Sequence, residues 1–150
     1  MVMGTAYHAA LAAGYRAVRD YDLQCASLGV AHLREESRPG VWLATALNAV
    51  DTVRQDRDGK SLGLTPEDRT LLGDMVKYWF EQVGANDLAK IKRIISVEEP
   101  YYVQIGKYLI RCTLDLNVEY VELGEVIIDH KTGDPQRTKD FLALDIQTST

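Results

Sequence analysis

The apolar period of this chain changes once, near Lys90, and that change limits the fold more than any other feature. Before it, apolar residues recur every three or four positions, the spacing of one helix face; after it they alternate, the spacing of a half-buried strand. Such a pattern predicts helices first and strands second, an α+β arrangement with helices on a sheet. The 150 residues, 46% hydrophobic and 26% charged, have the size and mix of a single domain over 1–150. A core of this size needs no disulfide or metal staple, so any metal must be justified by chemistry.

Gly4, His8, Leu11, Tyr15 and Val18 share one face of a first helix, which turns His8 toward the apolar side. A break is expected at Arg38-Pro39-Gly40, followed by a second helix over Val41 to Val53 carrying Trp42, Ala46, Ala49 and Val50. The third helix has the clearest start: Thr65 can cap, Pro66 suits the first helical position, and Glu67 and Asp68 favour the positive end of the dipole. It is expected to stop at Gly84, with Leu72, Met75, Val76, Trp79 and Val83 as core.

Lys107 to Val121 is the cleanest strand, with apolar Tyr108, Ile110, Cys112, Leu114, Leu116, Val118 and Tyr120 on one face. The opposite face carries Arg111, Thr113, Asp115 and Asn117. Arg93 to Ile105 reads as a preceding strand interrupted by Pro100, and Glu125 to Lys131 as a following one. After Thr132-Gly133-Asp134-Pro135 a last helix is expected, carrying Phe141, Leu144, Asp145 and Gln147.

Seventeen Lys and Arg against 22 Asp and Glu give a net charge of −5, which argues against coating nucleic acid by bulk charge and leaves room for a local basic groove. Cys25 and Cys112 make no metal-ligand spacing and read as reduced thiols. No secretory leader and no membrane-spanning run is read, so the expected location is the cytoplasm. Neither a phosphate-binding GxxxxGK[ST] loop nor a GxSxG nucleophile elbow occurs.

The chemistry-bearing stretch is Val126-Ile127-Ile128-Asp129-His130-Lys131-Thr132-Gly133. A spacing of two on a strand puts Asp129 and Lys131 on one face, at the end where a loop opens to solvent. Asp115 lies on the polar face of the neighbouring strand, so two carboxylates can converge on one hard cation such as Mg²⁺ or Mn²⁺. A metal beside a lysine suits phosphodiester hydrolysis, because the cation neutralises charge on a phosphate oxygen and the ammonium can position the nucleophile.

In order along the chain, His8 within Gly4-Thr5-Ala6-Tyr7-His8-Ala9-Ala10-Leu11, then Asp115, then Asp129-His130-Lys131-Thr132-Gly133, then Gln147, resemble the RecB-like branch of the PD-(D/E)XK nucleases. The resemblance implies a restriction-endonuclease-like core: N-terminal helices on a central mixed sheet of at least three strands, closed by a C-terminal helix. It implies metal ligation by Asp115, Asp129 and the His130 backbone carbonyl, with Lys131 as catalytic lysine and His8 on the metal side. A first-strand glutamate belongs to the pattern, and Glu98 or Glu99 can fill it; strand parity favours Glu98. Gln147 matches the glutamine of the family's final helix. The tyrosine that commonly follows it, and the further strand and helix of the family core, do not occur before Thr150, so the chain reads as truncated against the pattern.

The implied activity is a Mg²⁺- or Mn²⁺-dependent deoxyribonuclease, of exonuclease type, in recombination, repair or phage DNA processing. DNA is the expected partner, without an iron–sulfur cluster and without a membrane. The alternative is a catalytically silent DNA-binding or protein-interaction domain of the same fold, completed by a second copy or another protein.

Overall fold

The computed structural model describes residues 2–30 and 34–131. Its order is α1 (Val2–Leu28), α2 (Arg34–Thr52), α3 (Pro66–Trp79), a π-helical turn (Phe80–Gly84), α4 (Ala85–Lys90), then β1 (Ile91–Ile105), β2 (Tyr108–Tyr120) and β3 (Gly124–Ile128). The α+β reading holds, and the switch from helix to strand falls between Lys90 and Ile91. Among the described residues no helix is long and apolar enough to cross a membrane. The expected C-terminal helix lies outside the described residues.

Among the described residues the sheet is a three-stranded antiparallel meander, β1-β2-β3, which corrects the expectation of a mixed sheet. Its connections are short: Gly106-Lys107 joins β1 to β2, and Val121 to Leu123 joins β2 to β3. A parallel pair needs a crossover of a dozen or more residues, and neither connection supplies one. Gly106 at φ 59 and Gly124 at φ 74 take the left-handed conformations that such tight reversals demand.

Each helix extends beyond its sequence reading. The first continues past Val18 to Leu28, where Gly29 at φ 71 ends it and the Val30 N–H donates to the Cys25 carbonyl at 2.9 Å, a Schellman-type stop. The second starts at Arg34 and runs through Pro39, because a proline one turn inside forfeits a single backbone bond. That turn is also anchored: the buried Arg38 donates to the Ile91 carbonyl at 2.8 Å and to Asp22 Oδ2 at 2.9 Å. The third is capped as expected, with Thr65 Oγ1 accepting from the Asp68 N–H at 3.1 Å and Asp68 Oδ2 accepting from the Thr65 N–H at 3.0 Å. It does not stop at Gly84. That residue stays helical because the Trp79 ring packs against it, and a Cβ there would stand 2.5 Å from Cζ3.

The core lies between the helices and the inner half of the sheet, where Leu11, Val18, Leu72, Val76, Leu116 and Val118 are fully buried. Its centre is aromatic: Trp42 packs on Phe80 at a centroid distance of 5.0 Å, on Trp79 at 5.5 Å and on Tyr15 at 5.6 Å. Pro100 does not interrupt β1, which is an edge strand and tolerates a missing donor. The outer halves of β1 and β2 run past the helices as an arm. Tyr108, Ile110 and Cys112, expected on a buried face, are therefore exposed, as are Tyr102, Val103, Ile105 and Leu109.

Two glycines test this packing with opposite signs. Gly14 lies under Trp42, and a Cβ there would meet Cε2 at 2.7 Å, so Gly14→Ala should destabilise by about 2 kcal/mol despite its better helix propensity. Gly73 in α3 has only Val50 Cγ1 at 4.0 Å, so Gly73→Ala should stabilise by about 0.5–1 kcal/mol. Urea midpoints of the two variants decide this, and a Gly14→Ala chain as stable as the parent would contradict the packing described.

Candidate active site

β3 and β2 pair antiparallel with Leu116 opposite Ile128, so the residues that follow β3 come alongside those that precede Leu116. That register carries Asp129 to Asp115. The first link between them is through the backbone: the His130 N–H donates to Asp115 Oδ2 at 3.0 Å. The two carboxyl groups lie close enough to perturb each other's ionisation. Burial raises the Asp115 carboxyl from its ordinary value, against the opposing His130 N–H. Burial acts on Asp129 in the same sense, but the bonds from Lys131 and Asp115 outweigh it and hold Asp129 low. Lys131 Nζ stands 2.8 Å from Asp129 Oδ2.

The helical layer closes the other side. His8 Nδ1 on α1 is 3.5 Å from Asp115 Oδ2, and His8, Ala12, Tyr15, Glu98, Asp115 and His130 line one narrow cleft. The sequence therefore brought together His8, Asp115, Asp129, His130 and Lys131 from three distant segments, with Glu98 beside them. Glu99, the other candidate, points elsewhere and pairs with Arg19 at 2.9 Å. Gln147 lies outside the described residues.

The His130 side chain takes a part that the sequence reading reserved for its carbonyl. Its ring stacks on Tyr15 at 6.0 Å and 17°, and meets Trp79 edge-on at 5.7 Å and His8 at 6.3 Å. Burial, with His8 alongside, pushes its pKa down to about 4, so the ring is neutral near pH 7. Its buried Nε2 has no hydrogen-bond partner. Parity along β3 does place this side chain on the apolar side; the aromatic nest that receives it had no signal in the sequence.

Glu98 is the one non-glycine residue with positive φ among those described, at 49°. A left-handed backbone there costs on the order of 1 kcal/mol, and such strain collects at functional positions. Arg16 and Arg57 both reach this carboxylate, at 3.3 and 3.7 Å. Neither arginine was singled out by sequence; Arg16 is legible in retrospect as two steps of four beyond His8 on α1, while Arg57 in the loop between α2 and α3 carried no signal.

Asp115 and Asp129 offer the hard oxygen donors that Mg²⁺ or Mn²⁺ takes, and Mg²⁺ commonly binds through one or two carboxylates with water filling the rest. Among the described residues, however, no three His, Cys, Asp or Glu side chains are grouped closely enough to hold a metal ion without adjustment. Compared with protein-family models, with curated proteins and with solved structures, the chain matches none.

The neutral His130 generates a pH prediction. A histidine with a folded pKa near 4 and an unfolded value of 6.5 has its full stabilising effect above pH 6.5 and loses it as pH falls toward 4, in total about 3 kcal/mol. Asp115, with its raised carboxyl, acts in the opposite sense in both parent and variant. Denaturant midpoints measured from pH 7 to 4 should fall less in His130→Phe than in the parent; parallel curves would show that His130 is not held neutral.

Proposed function

We propose that this chain is a Mg²⁺- or Mn²⁺-dependent phosphodiester hydrolase acting on DNA, of exonuclease type, in recombination, repair or phage DNA processing. The observation that carries the reading is the meeting of Asp115, Asp129, Lys131 and His8 at one end of a narrow cleft, with Glu98 on its wall. It is supported by the resemblance of the same residues, in the same order, to RecB-like PD-(D/E)XK nucleases.

Asp115 and Asp129 would hold the cation, joined by the His130 carbonyl, with His8 on the Asp115 side. The bound cation lowers the pKa of water and offsets charge on the phosphate oxygens. Lys131 keeps an ammonium beside Asp129, where it orients the attacking water and stabilises charge building on the phosphate. The His130 N–H fixes the Asp115 carboxyl, and the neutral His130 ring adds no positive charge that would repel a cation. Asp115, whose carboxyl is raised by burial, would have to be ionised to hold the cation, so affinity for the ion should rise with pH.

The exposed arm favours a second reading, an interaction domain without turnover. Among the described residues Tyr102, Val103, Ile105, Tyr108, Leu109 and Ile110 all present apolar surface on this arm. A second copy or another protein would cover it, and a concentration-dependent mass would favour this reading.

End-labelled linear DNA, single- and double-stranded, separates the two. With Mn²⁺ the parent should degrade it and with chelator it should not. Asp129→Asn, Asp115→Asn and Lys131→Gln should each lower the rate by about a hundredfold or more without lowering the melting temperature. Cleavage that survives these substitutions would reject the site, and a metal-loaded parent that cleaves nothing would leave the silent reading.

A further inference from the structure

Glu98 collects two guanidinium groups from separate parts of the chain. Arg16 Nη2 lies 3.3 Å from its Oε2, and Arg57 Nη2 lies 3.7 Å from its Oε1. The carboxylate is 18% exposed, whereas the two arginine side chains are 44% and 61% exposed and keep donors toward solvent. Surface ion pairs of this kind contribute little to stability, so the convergence needs another reason.

Arg57 is presented by a fixed loop. Asp56 Oδ1 accepts from the Asp58 and Lys60 N–H groups, each at 2.9 Å, and the Asp56 N–H donates to the Lys60 carbonyl at 2.9 Å. Gly59 at φ 80 closes that turn, and the buried Leu62 roots its far side in the core. Arg16 is held by α1, on the side that also carries His8 and Ala12 into the cleft. Between these two rigid mounts stands a strained glutamate whose other neighbours are the groups of the proposed active site.

We infer that Arg16 and Arg57 form a phosphate clamp at the rim of the cleft, binding the backbone of the nucleic-acid strand with Glu98 as the counterion that keeps both guanidiniums in place before it arrives. The inference rests on the nuclease reading and extends it to how the strand is held. Guanidinium forks match phosphate oxygens in shape as well as charge, and arginines on two separate elements can grip one phosphate from two sides. Glu98 lines the same cleft as His8 and Asp115, so the clamp holds the backbone close to the bond at Asp115. In a chain of net charge −5, a pre-aimed pair of this kind supplies attraction that bulk charge does not.

Arg19 provides the matched control, since it lies on the same helix but pairs with Glu99, outside the cleft lining. The test is fluorescence anisotropy of the full chain with a short fluorescein-labelled DNA oligonucleotide, in Ca²⁺, over a salt titration. Arg16→Gln and Arg57→Gln should each weaken binding about tenfold and lower the slope of log K against log salt by about one, while Arg16→Lys, which keeps the charge but not the fork, should restore the slope and only part of the affinity. Arg19→Gln should bind as the parent does, and melting temperatures should verify that every variant is folded. Unchanged affinity in Arg16→Gln and Arg57→Gln, or an equal loss in Arg19→Gln, would overturn the clamp while leaving the nuclease reading intact. A parent chain that neither binds DNA in Ca²⁺ nor cleaves it in Mn²⁺ would overturn both.

Discussion

The seating of the His130 ring among Tyr15, Trp79 and His8 is the interaction on which the site depends. Those rings belong to the helical layer, and through Trp42 and Phe80 they are continuous with the centre of the core. His130 itself follows β3, beyond the last paired residue Ile128. A strand end without further ladder bonds would fray, and here a buried ring replaces the missing ladder. Because the flanking residues are Asp129 and Lys131 and the backbone N–H of His130 binds Asp115, one packed side chain fixes three reactive groups together. The helices are thus less a cover for the sheet than the mould that sets its chemical end.

The electrostatics follow from that packing. Bringing Asp115 and Asp129 together costs free energy if both are charged, and the Lys131 ammonium on Asp129 and the His130 N–H on Asp115 offset part of that cost. Asp115 lies deeper, and burial raises its carboxyl; Asp129 faces Lys131, which holds its carboxyl low. His8 stands on the Asp115 side at 3.5 Å. The neutrality of His130 matters equally, since a second cation at this depth would compete with any metal for the same carboxylates. Farther along the cleft Glu98 meets Arg16 and Arg57 instead, while Glu99 pairs with Arg19 outside it. Charge is therefore graded along α1, from metal-type donors near His8 to anion-type donors near Arg16.

Helix-then-strand order, the capping box at Thr65 and the spacing of Asp115, Asp129 and Lys131 were legible because each rests on local periodicity or on a short-range bond. Helix ends were not. Pro39 and Gly84 are residues that usually stop a helix; Pro39 is overridden by contacts distant in sequence, the buried Arg38 with Asp22 and Ile91, and Gly84 by the Trp79 ring five residues before it. The buried face of β2 was legible only in part. Alternation is uniform from Tyr108 to Tyr120, yet only the half opposite the helices is buried, and no single-sequence pattern marks where the helical layer ends. Arg57 was illegible for the simplest reason, since a loop residue that meets a partner 41 positions away leaves no period to read.

Glu98 marks the place where these two regimes meet. On one side of it β1 lies against the helices, with Ile94 and Val97 buried; on the other side the arm leaves them. Five extended residues would span roughly 16 Å, yet the Tyr101 hydroxyl returns to within 2.7 Å of Ser96 Oγ and 3.4 Å of Asn117 Nδ2. The ribbon must bend between them, and the left-handed backbone of Glu98 lies inside that interval. The same bend that swings the arm away from the helices aims the Glu98 carboxylate into the cleft beside Asp115. A glycine would make the turn with less strain but would bring no carboxylate for Arg16 and Arg57. Retaining a glutamate there, at the cost of a disfavoured backbone, ties the direction of the arm to the charge at the mouth of the site.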